Sequence, residues 1–411
     1  MCRVVWPVCA TLLVTTAAVQ GAERIVLRVQ EPVGVQRAAV PVHTLLQLKQ
    51  RVNSQTPFRL TRDGKPLAAQ FRPHHQKTTT PGDVTASRET DQIWLDFLAR
   101  SEPKQVVEYV VEYGPGVIPS PERTRGHTLT VRDGAFVVTH APYIEWVVPR
   151  NLSGLLRSVN FDPVEHLKPD SIGLRLRDDE GRDHALHGGR VASRVLRQGK
   201  MTVAMRFQNN DSLPGLEGVS WTADLIFPGP VSWVEVQLKI RDPQHRIVEA
   251  GLQLNLNLDP PTAARRTLVE LGADRTVYRA LTGNGRLELQ ADAQRMAEPW
   301  RVLLGNAGGL RPFVVGGPKS HVVEGWAHIM DRQRCLAIAF DAFGRDAAER
   351  LAVQANGSVT ASKRWSTSER SPKLSKEWRF WLHFVHFPPQ QSASTDPYMM
   401  QHPLRVQQVR P

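Results

Sequence analysis

Alternation with a period of two runs through most of the chain. Residues 252–258 (LQLNLNL) put every leucine on one side and polar residues on the other. Residues 234–240 (VEVQLKI) repeat the pattern, and residues 106–113 (VVEYVVEY) send Val107, Tyr109, Val111 and Tyr113 one way. IGLRLRD, MTVAMRF and RLELQA continue it. Successive side chains of a strand point to opposite faces, so this pattern predicts half-buried antiparallel strands. Turn signals stand between them at Asp63-Gly64, Asp133-Gly134, Glu180-Gly181, Gly283-Asn284-Gly285 and Asn356-Gly357. The predicted fold class is all-β: a small N-terminal β domain, then a large antiparallel sandwich. One short helix is expected, at 343–354 (FGRDAAERLAVQ), while HTLLQLKQRV from His43 fits either period.

A chain of 411 residues has room for two or three domains. GPGVIPSPERTRG (114–126) is rich in proline and glycine and separates two strand-rich regions. The predicted division is an N-terminal β domain at 22–116, a central β-sandwich at 127–388 and a loose tail at 389–411. The polar run RPHHQKTTTPGDVTASRETD reads as a loop inserted in the first domain.

Residues 1–21 read as an export leader. Arg3 supplies the charge, an apolar stretch follows, and AVQGA offers small residues for cleavage after Gly21 or Ala22. The apolar run is too short to span a bilayer comfortably. A secreted or periplasmic protein with no stable membrane insertion is therefore expected. Cleavage removes Cys2 and Cys9, so Cys335 has no partner for an internal disulfide and reads as a small core residue.

The formal net charge is +12. An excess of that sign attracts nucleic acid, anionic membranes or acidic polysaccharides. No long Lys/Arg block, recognition helix or RNA-binding motif is present, so nucleic acid is not an expected partner. An acidic polysaccharide or oligosaccharide is.

Candidate chemistry gathers in HVVEGWAHIMDRQRC (321–335). As a strand, its first ten residues place Glu324, Trp326 and His328 on one face. An aromatic plane for stacking on a pyranose, flanked by a carboxylate and an imidazole for hydroxyls, makes these three the predicted substrate-binding row. A cross-strand ladder on a wet sheet face is the alternative. Asp331 opens a turn. Elimination on a uronate needs a base for the C5 proton and a cation for the carboxylate. His321 or His328, with Arg334 or Lys319, are the candidates, while no catalytic residue follows from the sequence itself. No metal and no cofactor is expected. His383 and His386 point to opposite faces of a strand, and no zinc spacing, G-x-S-x-G, P-loop or dinucleotide fingerprint occurs.

Residues 325–365 (GWAHIMDRQRCLAIAFDAFGRDAAERLAVQANGSVTASKRW), followed by KEWRFWLHFVHFP, resemble the central β-sandwich of the exo-rhamnogalacturonan lyase (YetA-like) family. Upstream, FRLTRDGKPLAAQFRP, IWLDFLA and YVVEYGPG are similar to that family's N-terminal barrel-like domain, and LTVRDGAFVVTH fits the start of its central domain. The resemblance implies those two domains without the family's C-terminal helical toroid, and a pectin-like ligand. It leaves three roles open: a non-cutting binder of acidic polysaccharide, a lyase or other glycan-active enzyme with its site on the sandwich, or a structural partner of a separate helical catalytic subunit.

Overall fold

The computed structural model describes residues 21–74, 89–209, 213–262, 265–292, 294–295, 297–306, 308–317, 323–365, 375–386 and 395–409. The expected leader lies almost wholly outside these residues. The described chain is nearly all strand, in several antiparallel sheets. The N-terminal unit has two. Glu23–Gln30, Val106–Tyr113, Phe58–Arg62 and Lys65–Leu67 lie side by side with Arg405–Val409, while Arg37–Val52, Thr90–Ser101 and Ala69–Pro73 form a three-stranded sheet. The alternation of 106–113 comes out as read: Val107, Tyr109, Val111 and Tyr113 are buried with Leu27, Leu60 and Leu95.

The central region is a sandwich. Its eight-stranded sheet runs, in spatial order, Asp183–Ala185, Gly173–Asp178, Ile247–Asn255, Ser358–Arg364, Ala348–Gln354, Arg286–Ala291, Trp300–Asn306 and Gly309–Val315. Its nine-stranded sheet runs Val191–Arg197, Thr202–Asn209, Ser220–Pro228, Trp233–Arg241, Ser375–His386, Arg334–Phe340, Trp326–Met330, Thr267–Gly272 and Thr276–Leu281. A further five-stranded sheet, from Thr128–Arg132 to Val164–Glu165, joins the same core. Leu252, Leu254, Val234, Val236 and Leu238 all point inward, as their alternation predicts. Burial of each such side chain contributes about 1.5–3 kcal/mol, which favours this pairing over any slipped one.

Two expectations are corrected. No helix forms at 343–354; Ala348–Gln354 is a central strand between Arg286–Ala291 and Ser358–Arg364. Glu349, Leu351 and Val353 turn inward and Arg350 outward, a period-two pattern that the short apolar run also allowed. HTLLQLKQRV likewise belongs to the strand Arg37–Val52. The helix that does form is Thr395–Gln401, in the stretch expected to be a loose tail. The chain then returns to the N-terminal unit, where Arg405–Val409 pairs antiparallel with Glu23–Gln30.

That C-terminal strap is held by buried contacts. Leu404 enters the N-terminal core, and Met400 packs on Trp326 and Trp381. Arg37, wholly buried beside Glu31, donates to the carbonyls of Met399 (3.4 Å) and His402 (2.8 Å). Gln401 donates to the carbonyls of Glu324, Gly325 and Phe340. The N-terminal unit is also tied to the sandwich by a buried Arg197–Asp96 pair (2.7 Å), with the Arg197 guanidinium 4.3 Å above the Trp94 ring.

Candidate functional site

The predicted row sits on the outer face of the nine-stranded sheet. Pairing lines up Trp233, His383, Ala337, His328 and Glu270 across five strands, and Glu235, Trp381, Ala339, Trp326 and Gly272 beside them. The Trp326 indole lies flat over Gly272, where a Cβ would come within 2.1 Å of its ring nitrogen, so only glycine fits below it. Its Nε1 donates to Glu324 Oε2 at 2.6 Å, and its ring centroid is 5.2 Å from that of His328. His328 Nδ1 lies 3.0 Å from Glu270 Oε2. The three residues therefore do come together, through a partner, Glu270, that sequence reasoning missed.

Trp326 and His328 do not face solvent, and Glu324 is half-buried. Trp326 is 0% exposed and His328 5%. The helix Thr395–Gln401 covers the indole, and the strand Arg37–Val52 covers the neighbouring Glu235. This carboxylate accepts from Arg379 Nε (2.8 Å) and Trp381 Nε1 (3.3 Å), with His43 Nε2 at 3.6 Å. Burial opposes its ionisation, but His43 and Arg379 outweigh that and hold it below the usual carboxylate range. Burial pushes the His43 imidazole down. Arg334 points the other way. His328 is paired with Ala337, so Arg334, three residues along the partner strand, lies on the opposite face of the sheet. Its guanidinium is held by Asp331 (2.8 Å) and the Glu165 carbonyl (3.0 Å). The base-and-cation pair His328 and Arg334 is thus not assembled, while His321 and Lys319 lie outside the described residues.

An open site lies on the other sheet. The outward residues of the eight-stranded sheet align as Arg175, Gly251, Ser362, Arg350, Gln290 and Arg301, one from each of six strands. All of them but Gly251 line a trough of ≈ 380 Å³ that also takes in Arg177, Arg295 and Arg364 together with the carboxyl groups of Glu249, Asp292, Glu298 and Glu349, within the range of about 300–1,000 Å³ usual for small-molecule sites. Its floor is small: Thr360, Ala361, Ser362 and Ala348. At Gly251 an added Cβ would come within 2.8 Å of Arg175 Nε, so glycine lets that arginine lie flat across the strand.

The arginines outnumber the acids that hold them. Arg175 (3.2 Å) and Arg177 (2.9 Å) share Asp183, while Arg286 (2.6 Å) and Arg350 (2.6 Å) share Glu288. Arg301 is held by the neutral Gln290 Oε1 at 2.8 Å, and Arg364 has no ion pair among the described residues. Glu249, Asp292 and Glu298 on the trough's rim offset part of the remaining positive charge, Asp292 pairing with Arg295 at 3.4 Å, which leaves Arg301 and Arg364 as the guanidinium groups best placed for bidentate contact with an incoming carboxylate. Glu349, in the wall, is buried and pushed up to about 7 by that burial, with Lys363 Nζ 3.8 Å away and the Gly344 N–H only partly opposing it. Near neutral pH it is therefore about half ionised. The arginines of GLRLRD, AERLAVQ and TASKR were visible as the polar phase of strands, but nothing in the sequence aligns those strands. Among the described residues no three or more His, Cys, Asp or Glu side chains gather as a metal site.

No family model and no curated protein matches the chain. Among solved structures it is similar to a protein in glycosyl hydrolase family 38 from Enterococcus faecalis, with 9% identity and a TM-score of 0.56 over 94% of this chain and 47% of that one. An α-mannosidase from Enterococcus faecalis V583 is similar with 9% identity and a TM-score of 0.54, over 94% and 46%. The chain thus spans about half the length of either. At this identity the likeness shows the fold: an all-β sandwich architecture shared with carbohydrate-active proteins.

Proposed function

We propose that this is an exported carbohydrate-binding protein that holds an acidic, pectin-like polysaccharide in the arginine trough of the eight-stranded sheet without cutting it. The observation that carries the reading is the six-strand alignment that brings Arg175, Arg350 and Arg301 to one trough, with Ser362 in its floor and Gly251 beneath Arg175. Uronate carboxylates repeat along such a polymer, and guanidinium groups spread across a sheet face match a repeating anion better than a single point charge does. The net charge of +12 attracts the same ligand from a distance. The leader-like first residues support export. The sequence resemblance to rhamnogalacturonan lyases supports a pectic ligand, and the fold shared with carbohydrate-active proteins supports a glycan of some kind. A non-cutting role is favoured because His328 and Arg334 lie on opposite sheet faces.

Affinity electrophoresis through polygalacturonate at low salt tests this. The protein is expected to be retarded, progressively less as salt rises, and not by a neutral glucan. The double variant Arg175→Glu/Arg350→Glu should migrate freely. Free migration of the wild type at low salt, or undiminished retardation of the double variant, would overturn the proposal. Unsaturated product appearing with the polymer would instead favour the lyase reading.

A further inference from the structure

On the opposite side of the sandwich lies a second groove of ≈ 620 Å³, where the strand Arg37–Val52 and the hairpin turn after Ala135–His140 meet the start of Trp233–Arg241. Among the described residues its lining carries no Asp, Glu, Lys or Arg, although the chain as a whole has a net charge of +12. Burial, with Arg123 nearby, pushes the His140 imidazole below its usual range, so that ring is neutral at neutral pH. Tyr143 is 62% exposed and stacks on His140, with ring centroids 6.1 Å apart and planes 21° from parallel. Across the groove Trp233 stands edge-on to His383 at 5.7 Å. Ser232 Oγ and His383 Nε2 lie 3.0 Å apart, and Ser232, His383 and Gln36 all reach the lining.

We propose that this groove binds a neutral pyranose, with a C–H face of the sugar on the Tyr143–His140 platform and its hydroxyls toward Ser232, His383 and Gln36. An apolar body with a few convergent polar groups is the usual makeup of a small-molecule site. A large exposed ring that keeps its hydroxyl in water suits an amphipathic ligand. An acidic sugar is disfavoured because its carboxylate would lose water here and find no cation among the lining residues, Arg123 lying behind His140 and outside the lining. A purely apolar guest is disfavoured because it would cover the polar Ser232 and His383 groups of the lining without offering them a hydrogen bond. The site is independent of the arginine trough, and either can be wrong without the other.

Saturation-transfer NMR on the full chain tests this, using the methyl pyranosides of mannose, glucose and galactose, with galacturonate as the acidic comparator. At least one neutral glycoside, at up to about 10 mM, should receive saturable transfer at its ring protons, since even millimolar binding is worth about 4 kcal/mol. Tyr143→Ala should weaken it at least about tenfold, or about 1.4 kcal/mol, while retardation by polygalacturonate stays unchanged. Tyr143 is exposed, so that variant should fold; Ser232→Ala offers a second, smaller loss. In the Arg175→Glu/Arg350→Glu background galacturonate should receive no transfer and the neutral glycoside should bind as before. The proposal is overturned if no neutral glycoside binds, if binding survives both groove variants, or if an aliphatic alcohol of similar size competes equally well.

Discussion

On the eight-stranded sheet the outward residues include Arg175, Arg350 and Arg301, spread over glycine and serine and open to water. On the nine-stranded sheet they are Glu235, Trp326, His328 and Trp381, spread over glycine and alanine and shut beneath the N-terminal unit and the C-terminal strap. Both faces use small residues in the same way, to let a large side chain lie flat: Gly251 beneath Arg175 and Gly272 beneath Trp326. The difference is in what covers them. Aromatic rings beside carboxylates that are already paired, as Glu235 is with Arg379, welcome a second layer, because burying apolar area is favourable. Surplus guanidinium groups resist one, because dehydrating an uncompensated charge is costly. The outward phase of a strand is therefore a surface only where nothing docks on it.

The strap offers the largest test of this contrast. Deleting residues 395–409 uncovers Trp326, removes Met400 and Leu404 from their contacts and strips two acceptors from the buried Arg37. Buried side chains of that size contribute about 1.5–3 kcal/mol each, so a loss above roughly 5 kcal/mol is expected, seen as a lower urea midpoint or as insoluble protein. A loss under about 1 kcal/mol would mean that the strap is a superficial cover.

Trp326→Ala should cost about 3–5 kcal/mol, the range for emptying a buried aromatic site. Where the variant is folded by circular dichroism, its retardation by polygalacturonate should match the wild type. A folded variant that loses retardation would move the binding face to the nine-stranded sheet.

Glu349→Gln sharpens the comparison through pH. The folded-state carboxyl is raised from 4.5 to about 7, so the folded protein holds a proton that the unfolded chain releases. Its contribution to stability is full below pH 4.5 and is lost as pH rises to about 7, by an amount on the order of 3 kcal/mol. The glutamine variant should flatten the stability profile across that window. An unchanged slope would show that Lys363, rather than burial, governs the group.

The smallest effects belong to single trough arginines. Arg350 is 45% exposed, but its partner Glu288 is buried and, among the described residues, keeps only Arg286 as an ion-pair partner when Arg350 is removed, so Arg350→Ala should cost about 1–2 kcal/mol. It should also weaken polygalacturonate binding several-fold and reduce its salt dependence. Equal weakening toward a neutral glucan would argue against recognition by charge.

Much of this architecture was legible in the chain. Alternation in VVEYVVEY, VEVQLKI and LQLNLNL identified strands and their buried phase, because a strand's side-chain period is fixed by backbone geometry alone. The grouping of Glu324, Trp326 and His328 followed from the same period. Two misreadings arose where local pattern is weakest. FGRDAAERLAVQ fits a helix until neighbouring strands claim its backbone on both sides, and the strap's strand has too few apolar positions to alternate visibly.

The sequence by itself determined that the chain is mostly strand, which way each side chain points along the strands whose alternation is clear, and that the protein carries a positive surplus. Tertiary structure alone decided that Arg175, Arg350 and Arg301 share one trough, that Arg334 turns its back on His328, and that Trp326 is roofed by residues from the far end of the chain. The reason is physical. Direction within a strand is a local property of the backbone, while alignment between strands and the covering of a face depend on contacts between residues far apart in the sequence, such as Gly251 with Ser362 and Trp326 with Met400.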